Sequence, residues 1–370
     1  MRGRTGLAVA TGVALATLLA ACSGAGGGSS STTTAASSPT ATPTVSSSPE
    51  PATPSTTRAG APEREPLRFS ALGDVGQYEA SGQVLDAIAA RRDDLTLVVG
   101  DLSYRDPGEE RSWCDFVLQR FSPDYPFELV AGNHEDDGPD GSIDVFRKCL
   151  PNHLSGLVGD YGKQWYADVP ADDPVMRVVM LSPDLEFQQG PDGAGPERLS
   201  YERGTPEYDW TRKAVRDAHA AGIPWVVAGM HKPCLSMGRY ECGNMDDLMN
   251  LLLAEHVDLV LAGHEHMYQR TVPIALGPGC PQVRPDGFDQ SCVAPDTAHG
   301  TTFVTVGSGG QALRDVNRDD SERRWFAAVS GADLDPAHGS VAVEVTADTL
   351  SLRFEPVGGA SFTDAVVIRR

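Results

Sequence analysis

Five short stretches of this chain end an apolar run on a glycine and then on a side chain able to hold a metal ion. The first three are Leu72-Gly73-Asp74, Val99-Gly100-Asp101-Leu102-Ser103-Tyr104 and Ala131-Gly132-Asn133-His134-Glu135. Ala228-Gly229-Met230-His231 and Ala262-Gly263-His264-Glu265-His266 follow. Carboxylate, phenol, amide and imidazole donors suit iron, zinc and manganese. A carboxylate has two oxygens, so one Asp can bridge two ions. Two ions roughly 3.5–4 Å apart can hold a phosphoryl oxygen and acidify a shared water. Singly, Gly-Asp and Gly-Asn are ordinary turn signals. Five in succession, each behind an apolar run, point to one assembled site.

The elements that must position these residues are legible in the same pattern. Apolar runs at 67–72, 95–99, 127–131, 224–228 and 257–262 have the length and punctuation of buried strands. Helical patterns lie between them at 81–91, 111–121, 206–221 and 245–255. Strands alternating with helices predict an α/β fold, whose sites form at strand carboxyl ends. A glycine before each ligand lets the backbone turn sharply. From about 301 the chain is richer in strands, at 301–306, 340–345, 350–354 and 365–368. No internal repeat or second linker interrupts this part, so a single domain is expected from 66 to 370. His153, His219, His256, His299 and His338 have no motif around them, and Lys163 and Arg203 read as solvated loop residues.

Composition limits the partners. A formal charge of −21 argues against binding a nucleic-acid polymer, which most of the surface would repel. A small phosphate ester is not excluded, because metals can make one cleft locally positive. Residues 1–22 read as an export signal: Arg2 and Arg4, an apolar stretch at 7–19, then Leu19-Ala20-Ala21-Cys22. That tetrapeptide resembles a bacterial lipobox. It implies lipidation of Cys22 and anchoring on the outer face of the cell membrane, with membrane contact through that anchor alone. Residues 23–65 are almost all Ser, Thr, Ala, Pro and Gly and cannot bury enough apolar surface to fold, so they read as a disordered spacer. Six further cysteines allow 15 pairings. Chain order favours neighbours: Cys114 with Cys149, Cys234 with Cys242, and Cys280 with Cys292.

Taken in order, the five motifs resemble the metallophosphoesterase superfamily. Tyr104, in Gly100-Asp101-Leu102-Ser103-Tyr104, narrows the resemblance to the purple acid phosphatases, as do Gly73-Asp74-Val75-Gly76-Gln77 and Tyr268-Gln269-Arg270 after His266. The likeness covers roughly 67–310. It implies an αββα sandwich of two central mixed sheets flanked by helices, and a pair of metal ions. Asp74, Tyr104 and His266 would serve one ion, Asn133, His231 and His264 the other, and Asp101 would bridge. In that family the tyrosine is a phenolate on Fe(III), and the second ion is divalent iron, zinc or manganese. One trivalent and one divalent ion against two Asp, one phenolate and one hydroxide leave the site near +1, able to attract phosphate despite the acidic surface. The implied reaction is in-line attack on phosphorus by a metal-bound hydroxide, with His134 beside the substrate to steady the transition state or protonate the leaving oxygen.

The chain departs from its relatives after the fourth motif. Plant and animal members usually carry further histidines there. This loop, from His231 to Cys242, has none, and offers Arg239 and Tyr240 as phosphate contacts and Glu241 as a proton donor. The leading expectation from the resemblance is a phosphomonoesterase. The missing histidines make a phosphodiesterase acting on nucleotides, phospholipid head groups or wall phosphodiesters a serious rival, and a lipid-anchored metal-binding protein is the non-enzymatic alternative.

Overall fold

The computed structural model describes residues 64–136, 140–188 and 196–370. The signal segment with Cys22, and the spacer apart from its last two residues, lie outside the described residues. The first half of the domain runs β1 (Leu67–Leu72), α1 (Glu79–Arg91), β2 (Leu95–Val99), α2 (Glu110–Leu118), β3 (Phe127–Val130), the single turn α3 (Asn133–Asp136) and α4 (Ile143–Cys149). Next come β4 (Val158–Asp160), β5 (Gln164–Val169), β6 (Met176–Leu181), β7 (Leu185–Phe187), β8 (Glu197–Leu199), α5 (Pro206–Ala220), β9 (Trp225–Met230), α6 (Asp246–Ala254), β10 (Leu259–Ala262) and β11 (Tyr268–Thr271). The strand-rich end holds β12 (Thr302–Val306), β13 (Phe326–Ser330), β14 (Gly339–Val345), β15 (Thr349–Pro356) and β16 (Ala365–Arg369). No helix of the described residues is long and apolar enough to cross a membrane.

These strands form a six-stranded sheet in the order β16-β15-β14-β1-β2-β3 and an eight-stranded sheet in the order β13-β11-β12-β10-β9-β6-β5-β4. Both are mixed. β1, β2 and β3 run parallel and β14 joins β1 antiparallel. β6, β9, β10 and β12 run parallel, with antiparallel strands beyond.

The two-residue period of each strand decides which layer its side chains enter. Phe69 and Ala71 of β1, Leu95, Leu97 and Val99 of β2, Val178 and Met180 of β6, Trp225 and Val227 of β9 and Leu259 and Leu261 of β10 share one core between the sheets. The alternate residues Leu72, Val98, Val179, Leu181, Val226, Ala228, Val260 and Ala262 join a second cluster with Val84 and Ile88 of α1, Val215 and Ala218 of α5 and Leu248 and Leu252 of α6. The layering is therefore helix, sheet, sheet, helix, the αββα architecture the resemblance implied.

The three disulfides are the neighbour pairs that chain order favours. Lys163 differs from its reading as a solvated loop residue. It is buried, lies 3.1 Å from Glu197 and sits over the Phe187 ring.

Candidate metal centre

The ends of β1, β2, β3, β9 and β10 meet at one edge of the two facing sheets. Backbone bonds fasten the loops there across the seam: Gly73 N–H donates to Val306 O (3.0 Å) and Gly309 N–H to Gly73 O (3.0 Å). Side chains complete the stitching. His231 Nδ1 lies 2.9 Å from Val99 O, and His264 N–H donates to Asp74 Oδ2 at 2.8 Å.

All seven expected ligands are brought into this seam. Tyr104 OH is 3.2 Å from both Asp74 Oδ1 and Asp101 Oδ2, and 3.4 Å from His266 Nε2. His266 Nε2 is 3.4 Å from Asp74 Oδ1. On the other side His231 Nε2 is 3.1 Å from Asp101 Oδ1 and 3.2 Å from both Asn133 Oδ1 and His264 Nδ1. Asp101, His231 and His264 form one group whose ligand atoms lie within 4.8 Å of one another, and Asp74, Asp101 and His266 form a second. Asp101 belongs to both, and its two oxygens face opposite halves of the cluster.

The glycine argument holds at Gly100, whose φ is 86°, but the left-handed backbone also falls on three of the candidate ligands themselves, Asp74 (φ 57°), Asp101 (φ 49°) and His264 (φ 68°). Such φ values are uncommon for a non-glycine residue and concentrate at functional sites. Gly263 and Gly132 serve close approach. A Cβ on Gly263 would sit 2.7 Å from Asp74 Oδ2, and one on Gly132 would collide with the Asp101 carboxylate.

The donor set fits a pair of cations. His231 and His266 direct their Nδ1 atoms at the carbonyls of Val99 (2.9 Å) and Ala312 (3.1 Å), which turns each Nε2 toward the cluster. Burial and the neighbouring His231 push His264 down to about 2, and burial with Arg314 pushes His266 down to about 4, so both rings are neutral ligands at pH 7. Burial lifts the Asp74 carboxyl to about 8 against the pull of His231, with Asp101 adding to the rise. Burial works against charge on Asp101 too, but His231 and His134 outweigh it and hold this carboxyl well below the usual range. His231 is raised to about 9, since Asp101 and Asp74 overcome its burial. Buried carboxylates that keep protons for want of positive charge are the groups a cation satisfies, with release of those protons.

His134 stands beside this cluster. Its ring packs on Tyr104 with centroids 4.4 Å apart, Nε2 is 3.6 Å from Asp101 Oδ2, and Nδ1 is paired with Asp140. Tyr240 stacks on His264 at 4.1 Å and 28°. Arg239 lies over the same Tyr240 ring. Glu241 is exposed, and no hydrogen bond or ion pair among the described residues joins it to the ligands.

Sequence reasoning missed three residues that hold the site together. Glu135, fully buried, accepts N–H groups from Leu102 (2.8 Å) and Gly132 (2.9 Å) and so fastens the second motif to the third. Glu265, between two ligands, accepts N–H groups from Arg239 and Tyr240, both at 2.6 Å. Arg314 donates to the His264 carbonyl at 2.9 Å. The position of each glutamate inside a ligand motif was the available signal. Arg314 had none.

Residues 67–268 match the family described as calcineurin-like phosphoesterase, and the chain belongs to that family of hydrolases. Within it the chain is similar to purple acid phosphatases. Purple acid phosphatase 21 of Arabidopsis thaliana is 27% identical over 260 residues, covering 67% of this chain and 51% of that protein. The Fe(3+)-Zn(2+) purple acid phosphatase 12 of the same plant is 26% identical over 266 residues, covering 67% and 51%. The chain thus spans about half the length of the curated relatives it matches. A purple acid phosphatase from seeds of yellow lupin (Lupinus luteus) shares the fold, with a TM-score of 0.58 at 19% identity over 83% of this chain and 54% of that one.

Proposed function

We propose that the chain is a binuclear metal-dependent phosphomonoesterase. The observation that carries this reading is the Asp101 carboxylate shared between two groups of donors, each compact enough for one ion. Asp74, Tyr104 and His266 would hold one cation and Asn133, His231 and His264 the other. When bound, such a pair neutralises phosphoryl oxygens and lowers the pKa of a water molecule. The printed name of the Arabidopsis Fe(3+)-Zn(2+) relative supports iron with zinc here.

The chain's own side chains do the rest. Asp140 fixes Nδ1 of His134 and leaves Nε2 turned toward Asp101, placed to give its proton to the departing oxygen. Tyr240, stacked on His264, forms one wall of the substrate position, with Arg239 beside it. The same reading includes export, which the three disulfides support, since such bonds persist in oxidising compartments, and a lipid anchor at Cys22.

Rates of the iron- and zinc-loaded protein on phenyl phosphate and on diphenyl phosphate test the activity. The monoester is expected to be the better substrate. A preference for the diester would make the chain a phosphodiesterase, and hydrolysis of neither would leave a metal-binding protein. Cys22→Ala is expected to free the protein from membranes. Unchanged membrane association would reject the anchor.

A further inference from the structure

Two guanidinium groups stand together at the rim of the metal centre. Arg239 is exposed, and its guanidinium makes no hydrogen bond or ion pair among the described residues. Arg314 gives Nη1 to the His264 carbonyl and lies 3.6 Å from Glu265, while its Nε and Nη2 make no hydrogen bond among the described residues. Both lie over the ring of Tyr240, at 5.4 and 5.1 Å from its centroid. Arg177 and Arg270, by contrast, each spend two guanidinium donors on a carboxylate, Asp168 and Asp364. Arg239 keeps its guanidinium, and Arg314 its Nε and Nη2, unspent beside the candidate metal centre.

The pair is also held in place. The Cys234–Cys242 disulfide closes the loop that carries Arg239 and Tyr240. Glu265 accepts both of their backbone N–H groups. A Cβ on Gly238 would collide with the Glu265 carboxylate, so the loop lies flat on the ligand motif. Arg314 donates its own N–H to His266 O at 3.0 Å and accepts from Ala332 N–H at 2.8 Å.

Tyr78 stands 6.4 Å from Tyr104, with its hydroxyl accepting from Gln311. The acidic neighbours Glu241 and Asp315 are exposed, and neither pairs with either guanidinium.

We propose that Arg239 and Arg314 form, beside Tyr240, a subsite for a second anionic group on the substrate. The favoured esters are those whose alcohol carries a carboxylate or a phosphate of its own. A planar guanidinium matches either anion with paired N–H donors. This deepens the phosphomonoesterase reading and rests on it.

The test compares 4-carboxyphenyl phosphate with phenyl phosphate as substrates of the metal-loaded protein. Calorimetric binding of the two corresponding phosphonates, which cannot be hydrolysed, is measured in parallel. The carboxylated member is expected to be favoured about 10-fold in kcat/KM and in Kd at low salt, the worth of one charge-assisted hydrogen bond. The advantage shrinks as salt is raised. Arg239→Ala and Arg314→Gln should each bring the ratio toward one, with metal content measured for every variant. Because Arg314 also touches His264, Arg314→Lys is included and should restore part of the preference. A wild-type protein with no preference, or a preference that survives both substitutions, overturns the subsite. Inactivity on both esters would sink the phosphomonoesterase reading instead, and the phosphonate ratio would still decide the subsite.

Discussion

The six-stranded sheet supplies oxygen donors, Asp74, Asp101, Tyr104 and Asn133, whereas the eight-stranded sheet supplies nitrogen donors, His231, His264 and His266. Each set lies just past the ends of parallel strands, and neither is a site alone. The centre exists because the two inner faces pack, through residues such as Val99 and Val227, and bring the strand ends to one edge. The difference extends to the glutamates behind the ligands. On the oxygen side Glu135 ties one ligand loop to another. On the nitrogen side Glu265 ties the ligand loop to the loop bearing Arg239 and Tyr240. The first arrangement keeps the donors in register. The second couples them to the loop proposed to meet substrate.

Asp101→Asn should have the largest effect, because it removes the one charge that faces both halves. Activity is expected to fall by about 10³-fold or more, and retained activity would break the shared-carboxylate account. Glu135→Ala should come next. It frees two ligand loops and should weaken metal binding about 10–100-fold, measured by competition with a chelator. Glu265→Ala should act differently, with KM raised about 10-fold, a smaller loss in kcat and metal binding largely kept, and Glu265→Gln should recover much of the KM change. Equal effects of the two alanine variants on metal and on KM would erase the contrast between the sides.

The smallest effect concerns a carboxylate of the oxygen sheet that has no part in the cluster. Glu128 on β3 is fully buried and accepts the His153 N–H at 2.8 Å. Burial pushes its carboxyl from an ordinary 4.5 up to about 7, against the His153 hydrogen bond. A raised folded pKa means that its stability contribution is complete below about 4.5 and is lost as pH climbs through about 7. Between pH 5 and 8 the native protein should therefore lose about 2 kcal/mol more than Glu128→Gln, read from urea unfolding. Identical pH profiles would contradict this.

The strands that carry ligands were legible because each is a short apolar run broken by glycine, and the disulfide partners because they are neighbours in the chain. Other strands were hidden for physical reasons. β6 contains Arg177, which interrupts its apolar pattern and is buried because Asp168 meets it with two bonds, at 2.6 and 2.8 Å, and the Ala214 carbonyl with a third at 2.7 Å. β5 alternates buried and half-buried residues, and β4, β7 and β8 have three residues each. Glu135 and Glu265 look like surface charges in the sequence. Their role depends on backbone N–H groups supplied by folding. Arg314 lies 48 residues beyond His266 and is joined to the site by tertiary structure alone.

Anomalous diffraction from crystals of the metal-loaded protein, recorded at the iron and zinc absorption edges, addresses the meeting of the two sheets most directly. Two separate peaks are expected, one bounded by Asp74, Tyr104 and His266 and one by Asn133, His231 and His264, with Asp101 touching both. A single peak, or peaks away from Asp101, would contradict it.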